Sequence, residues 1–193
     1  KPIVGANTCA PVAAAANDEL AGIEDAIRIN LWRDVVFRNE DKIYTEDKLL
    51  LADSNFFQFF TFELIEGNPE SILNKPDQIV LTESSAEKYF GYVPGDGDSP
   101  IGKSLVMGSN KTNCAIVGIM KDPPTNSHFT FEMVLSMTSW DFSRRTQWTS
   151  NSLYSYVKLH EGADPEVVNA SLVDLSDKYV GPEIEQFLGT SLQ

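Results

Sequence analysis

Histidine and cysteine are scarce in this 193-residue sequence, at two residues each. His128 and His160 stand alone, each expected at a strand edge beside a loop, and neither has further ligands at zinc spacing. Cys9 and Cys114 are too few for a disulfide framework in a chain of this length, and they can pair only if the fold brings them together. Basic residues are also sparse: 15 Lys and Arg against 28 Asp and Glu leave a net charge of −13. With no basic cluster, there is no electrostatic footprint for DNA or RNA, and docking on anionic head groups is disfavoured. No run approaches the roughly 20 apolar residues of a membrane helix. The opening Lys1-Pro2-Ile3-Val4 has no signal-peptide core. The absent initiator Met, with a last helix expected over 182–193, suggests a piece of something longer.

What is present is a well-punctuated mixture of strands and helices, with 42% hydrophobic residues to build a core. The clearest order lies between Asp53 and Gly91. Ser54 is placed to cap a short aromatic helix, Asn55 to Phe60. Phe62 to Glu66 alternates like a strand and stops at Gly67-Asn68-Pro69. Gln78 to Thr82 is an apolar strand ending in a cap signal. Ser84 or Ser85 then opens a helix, Ala86 to Phe90, which Gly91 can close in a left-handed conformation. The crowded Phe56, Phe57, Phe59, Phe60 and Phe62 cannot all face one way, so about three are expected in the core and one or two outside.

Before this stretch, 1–9 reads as an extended lead-in. A helix is expected over Val12 to Leu20, with Pro11 in its first turn. A long strand, Ala26 to Arg38, shifts phase at Asp34, and Lys42 to Ala52 returns as the second arm of a hairpin. After it comes a loop over 92–100. Strands are expected over Ser104 to Met107, Asn113 to Met120, Phe129 to Met137 and Leu153 to Leu159, with a long loop or broken helix over 138–151. Asp164 and Pro165 should cap a helix running to about Val180, ended by Gly181-Pro182.

Chemistry is hard to find. Asp96 and Asp98 lack the other oxygens of a calcium loop. There is no Gly-x-Ser-x-Gly turn. Gly97 to Ser104 matches the phosphate-loop spacing, but a Gly/Asp/Pro loop precedes it and a strand follows, where a nucleotide site needs a strand and then a helix. No catalytic, cofactor-binding or metal-binding residue is therefore expected.

The segments ADSNFFQFFTFELIEGNP, QIVLTESSAEKYFG, SPIGKSL and AIVGIMKDPPTNSHFTFEMVLSM, in this order, resemble the extracytoplasmic core domain of MacB/FtsX-type ABC transporter permeases, in the form abundant in Bacteroidetes. The resemblance covers roughly Ala26 to Val180. It implies an α+β fold: a porter-like βαβ part, 1–91 with 151–193, and an inserted smaller α/β part, 92–150. It implies a periplasmic place between the first and second of four transmembrane helices. It also implies no catalysis in the domain itself, which would relay ATP-driven motion to periplasmic substrate or partners. The partners implied are the rest of the permease, a cytoplasmic ATP-binding subunit or domain, a second permease copy, and a periplasmic adaptor or a peptide or lipoprotein cargo. Two alternatives stay open: a stand-alone periplasmic ligand- or peptide-binding module, and a hydrolase using Asp or Glu, which would need a carboxylate of raised pKa in a pocket.

Overall fold

The computed structural model describes residues 7–96 and 98–188. Its helices are α1 (Val12–Glu19), α2 (Phe56–Phe59), α3 (Glu83–Phe90) and α4 (Pro165–Leu188). Its strands are β1 (Ile23–Trp32), β2 (Val35–Asn39), β3 (Lys42–Glu46), β4 (Leu49–Ala52), β5 (Leu64–Glu66), β6 (Gln78–Thr82), β7 (Ser104–Met107), β8 (Thr112–Met120), β9 (Met133–Ser136) and β10 (Tyr154–Leu159). Two compact units divide the chain: Lys1–Arg28 with Asp141–Gln193, and Ile29–Trp140. The class is α+β with a mixed sheet, as expected.

In the first unit, β10 lies beside β1, and Thr8 bridges to Leu153. In the Ala-rich helix α1, Ala13 and Ala16 are buried and Ala14 is exposed. Ala16, Ile23, Val168 and Leu175 form the core, with Leu172, Tyr179 and Trp148 packed around it. At the head of α4 the Asp164 carboxylate accepts the Glu166 amide at 2.9 Å, with Pro165 as the first helical residue. The expected stop at Gly181-Pro182 does not occur, and α4 runs on to Leu188. Proline removes its own amide bond to the carbonyl four residues back and crowds that carbonyl with its ring, but this helix is held on both sides of that point. Tyr179 stacks on Trp148, with rings 4.3 Å apart and 5° from parallel. One Glu183 oxygen accepts the amides of Trp148 (2.7 Å) and Thr149 (2.9 Å). The end of the helix expected over 182–193 lies outside the described residues from 189 on.

In the second unit the strand order is β1–β4–β9–β6–β8–β7–β2–β3, with β5 on β8. β4 and β9 pair in parallel, as do β6 and β8, while β6 and β9 are antiparallel. Every residue of β4 and of β9 is buried, so both faces of the sheet centre are covered. That explains one correction: the alternating strand expected over Phe129 to Met137 is only Met133–Ser136, and Phe129 and Phe131 lie before it.

The long hairpin is also broken. Asp34 adopts a left-handed φ of 56°, its amide donates to Asp47, and the second arm interrupts at Asp47-Lys48. β2 then pairs with β3, while the Leu49–Ala52 segment pairs with Trp32–Ile29 of β1. The caps differ too. Asn55, not Ser54, precedes α2, with no side-chain cap bond. Thr82 caps α3, its hydroxyl accepting the Ser85 amide, so the helix starts at Glu83 ahead of either serine. Gly91 closes α3 at φ 68°, as expected.

β5 begins at Leu64 and ends at Glu66, followed by Gly67, whose φ of 117° suits glycine alone. A Cβ there would sit 2.9 Å from the Val117 carbonyl oxygen of β8, so neither backbone can yield. Gly67→Ala is expected to cost about 2 kcal/mol in urea unfolding. A change within a few tenths would show that this approach carries no constraint.

Candidate functional site

The residues singled out in the sequence form no common site. His128 is exposed with its ring against Phe129, and exposed His160 donates its backbone amide to Gly22. Asp96 and Asp98 are exposed, and no group of three His, Cys, Asp or Glu able to hold a metal occurs among the described residues. The phosphate-loop spacing ends in a turn at Gly102 (φ 85°) followed by strand β7, with no helix N-terminus to receive a phosphate; Gly97 lies outside the described residues. Cys9 and Cys114 are both buried free thiols. Burial pushes both thiols up, Cys114 to about 12, so neither supplies thiolate near neutrality.

The aromatic stretch corrects the expected split. Phe56 alone is fully buried, and Phe57, Phe59, Phe60 and Phe62 are all half-buried. Phe56 is the hub: its ring meets Phe57 at 5.1 Å, Phe60 and Phe62 at 5.4 Å, and Phe131 at 5.7 Å. Phe129 joins through Phe60 at 5.5 Å. Two residues from before β9 thus complete a cluster that local spacing could not reveal.

Two clefts stand out. In the first unit a cleft of about 550 Å³ is lined mainly by Val12, Trp148, Val157, Leu172, Leu175 and Ile184, and none of its described lining residues is charged. In the second unit a cleft of about 400 Å³ lies beside α3, walled by Lys48, Ser85, Lys88, Asp122, Phe131 and Glu132.

Behind the second cleft lies a polar cluster that the sequence reading missed. Glu46, the last residue of β3, is only 2% exposed. Both its carboxylate oxygens take bonds from Lys88 Nζ, at 2.8 and 2.9 Å, and the Tyr89 hydroxyl donates to one of them. Lys88 and Tyr89 are neighbours in α3, so one helical turn delivers both donors. The Glu132 side chain lies on the wall of the same cleft. Lys48 lies 3.8 Å from Glu132. Burial pulls on Glu46 towards the neutral form, but the bonds from Lys88 and Tyr89 prevail and hold its carboxyl below the usual range. Glu132 goes the other way: partial burial, and then the neighbouring Glu46 carboxylate, push it up. Tyr89 is likewise raised, by burial and then by Glu46. The only local signal for this cluster was the short capped helix; its acidic partners are remote in sequence.

The chain is a mixed-sheet α+β fold with two compact units, and no helix among the described residues is long and apolar enough to cross a membrane. Residues 6–175 match the model of the MacB-like periplasmic core domain, and the chain belongs to that family. It is therefore a periplasmic domain of the ABC transporter permease family. Solved structures agree. A domain assigned to a permease protein of Porphyromonas gingivalis superposes with a TM-score of 0.78 at 28% identity, over 91% of this chain and 79% of that one. The periplasmic region of MacB from Actinobacillus actinomycetemcomitans gives 0.67 at 16% identity, over 97% and 85%. The extracellular domain of the noncanonic ABC-type transporter YknZ from Gram-positive bacteria gives 0.60 at 15%, over 97% and 88%; these last two show the fold alone. No curated protein matches the chain in sequence.

Proposed function

We propose that this domain is a non-catalytic relay, carrying ATP-driven motion of its permease to a periplasmic adaptor or to a peptide or lipoprotein cargo. The observation that carries the reading is the family match across 6–175, joined to the likeness to a permease domain. The partners follow from the same reading: four transmembrane helices of the permease, a cytoplasmic ATP-binding subunit or domain, and a second permease copy. The division into a porter-like part, 1–91 with 151–193, and an inserted part, 92–150, belongs to this proposal. It describes how the fold is related to its family, whereas the two compact units, with other bounds, describe packing. A relay needs stiff elements more than a reactive pocket. The fully covered centre of the sheet and the helix α4, anchored by Glu183, suit that need.

The test is the full reading frame and its product. One apolar span of about 20 residues before Lys1 and three after Gln193 are expected. The product should copurify with an ATPase. A cleavable signal peptide with no later span would overturn the relay in favour of a stand-alone periplasmic binding module.

A further inference from the structure

The cleft of the first unit has an apolar wall built at helical spacing. Leu172, Leu175, Val180 and Ile184 line it from one side of α4, with Ser176 in the middle of their stripe. Val12 of α1 and Val157 of β10 complete the wall. Leu175 is buried, but the other five apolar side chains are only half-buried, so apolar surface stays open to solvent there. Trp148 stands at the rim and is held from folding in. Its ring stacks on Tyr179 at 4.3 Å, and its amide and that of Thr149 are bound to Glu183. At about 550 Å³ the cleft has the size of a small-molecule site, roughly 300–1,000 Å³.

We propose that this cleft binds a small molecule with one aliphatic chain and an uncharged polar head, the chain along the α4 stripe and the head at exposed Asn7, Asn151 and Ser176. Charge selects the neutral head. Charged residues make up 22% of the sequence, yet none of the described lining residues is charged. An ammonium head would find no anion in that lining, and Glu183 beside it is already held by two amides. A carboxylate head would meet Glu183 and a chain of net charge −13. Burying either charge without a partner is costly. Hydrogen bonding favours a hydrocarbon over a peptide, which brings a donor and an acceptor with nearly every residue. The polar groups along the wall are already bound to one another. The Thr8 hydroxyl bonds the Ser155 hydroxyl at 2.7 Å and donates to the Leu153 carbonyl at 3.1 Å. The Thr8 amide donates to that same carbonyl, and the Thr8 carbonyl accepts the amides of Ser152 and Leu153. A hydrocarbon chain asks nothing of them. The site lies within the first unit and does not depend on the relay role.

The experiment is a proton–nitrogen NMR titration of the 193-residue chain with decanol, decanoate, decylammonium and the peptide acetyl-Ile-Val-amide at neutral pH. Decanol is expected to give saturable shifts at the Ser155, Val157 and Val180 amides and the Trp148 indole. Decanoate and decylammonium should bind at least about tenfold more weakly. S176F places a ring in the cleft from an exposed helix position and should weaken decanol binding by about tenfold or more. V167F puts the same ring at an exposed position on the opposite side of α4 and should leave binding unchanged. Decanol shifts that do not saturate, or that gather on the Phe56 cluster, would overturn the proposal. So would an S176F chain that binds as well as wild type. A peptide that binds as tightly as decanol would make the cleft a peptide groove instead. Should S176F fail to fold, the three head groups compared on the wild-type chain decide alone, and equal binding of all three sinks the neutral site.

Discussion

Phe56→Ala is expected to lower the stability of this domain by about 4 kcal/mol, the high end for a single core truncation. Phe56 is fully buried, and four other phenylalanine rings lean on it within 5.1 to 5.7 Å. Removing the hub takes away its own transfer energy and leaves those rings facing a cavity. They cannot all collapse into it, because Phe131 is held just before buried β9 and Phe62 just before β5. In a thermal melt the loss corresponds to a fall of roughly 10 °C. Phe59→Ala is the control: that ring is only half-buried, packs on Phe60 at 4.9 Å, and its loss should cost far less. Equal losses at the two positions would show that the cluster has no hub.

Glu46→Ala is expected to cost about 3 kcal/mol at neutral pH. The substitution leaves the buried Tyr89 hydroxyl without its acceptor and Lys88 without its anion, though Lys88 is one-third exposed and water can reach it. The pH dependence has a definite sign. A carboxyl held below its ordinary value adds stability that is present above the usual carboxylate range and fades as the pH falls through its folded value. The difference between wild type and Glu46→Ala should therefore shrink on acidification. Glu132, pushed up, works in the opposite direction: its contribution is whole below the usual range and is lost as the pH rises through its folded value. Urea midpoints from neutral pH down to below the usual carboxylate range would expose both slopes. A difference for Glu46→Ala that stays constant with pH would mean that the Lys88 and Tyr89 bonds do not depend on its charge.

The reach of the sequence can be judged element by element. The α+β class, the helix at Val12, the strand at Gln78 and the Gly91 cap were readable because each is set by neighbours in the chain: an Ala run, an apolar pentad, a glycine after a helical turn. The order of motifs also pointed to the right family. The failures have one cause in common. Gly181-Pro182 looks like a helix end until Glu183 and the Trp148–Tyr179 stack are seen holding the turn together. The irregularity at Asp34 is legible as a phase shift, but the interruption of the second arm is not seen until Asp34 and Asp47 meet. The alternation at Phe129 looks like a strand until β4 and β6 cover both sides of β9. The Glu46 cluster draws on β3, α3 and the residues flanking β4 and β9, and no window of sequence contains it.

The pairing of β4 with β9 sets the order in which the second unit can fold. Leu49 to Ala52 meets Met133 to Ser136 in parallel, and β6 lies between β8 and β9, both later in the chain. The most apolar strands are thus made long before the partners that cover them. Until residue 136 has emerged, β4 has β1 on one edge and nothing on the other. Such distant pairing makes folding slow, on the millisecond-to-second scale, and leaves a bare Leu-Leu-Leu edge open to wrong partners in the meantime. A nascent chain halted between β8 and β9 should accordingly depend on chaperone capture, while one halted after Ser136 should not.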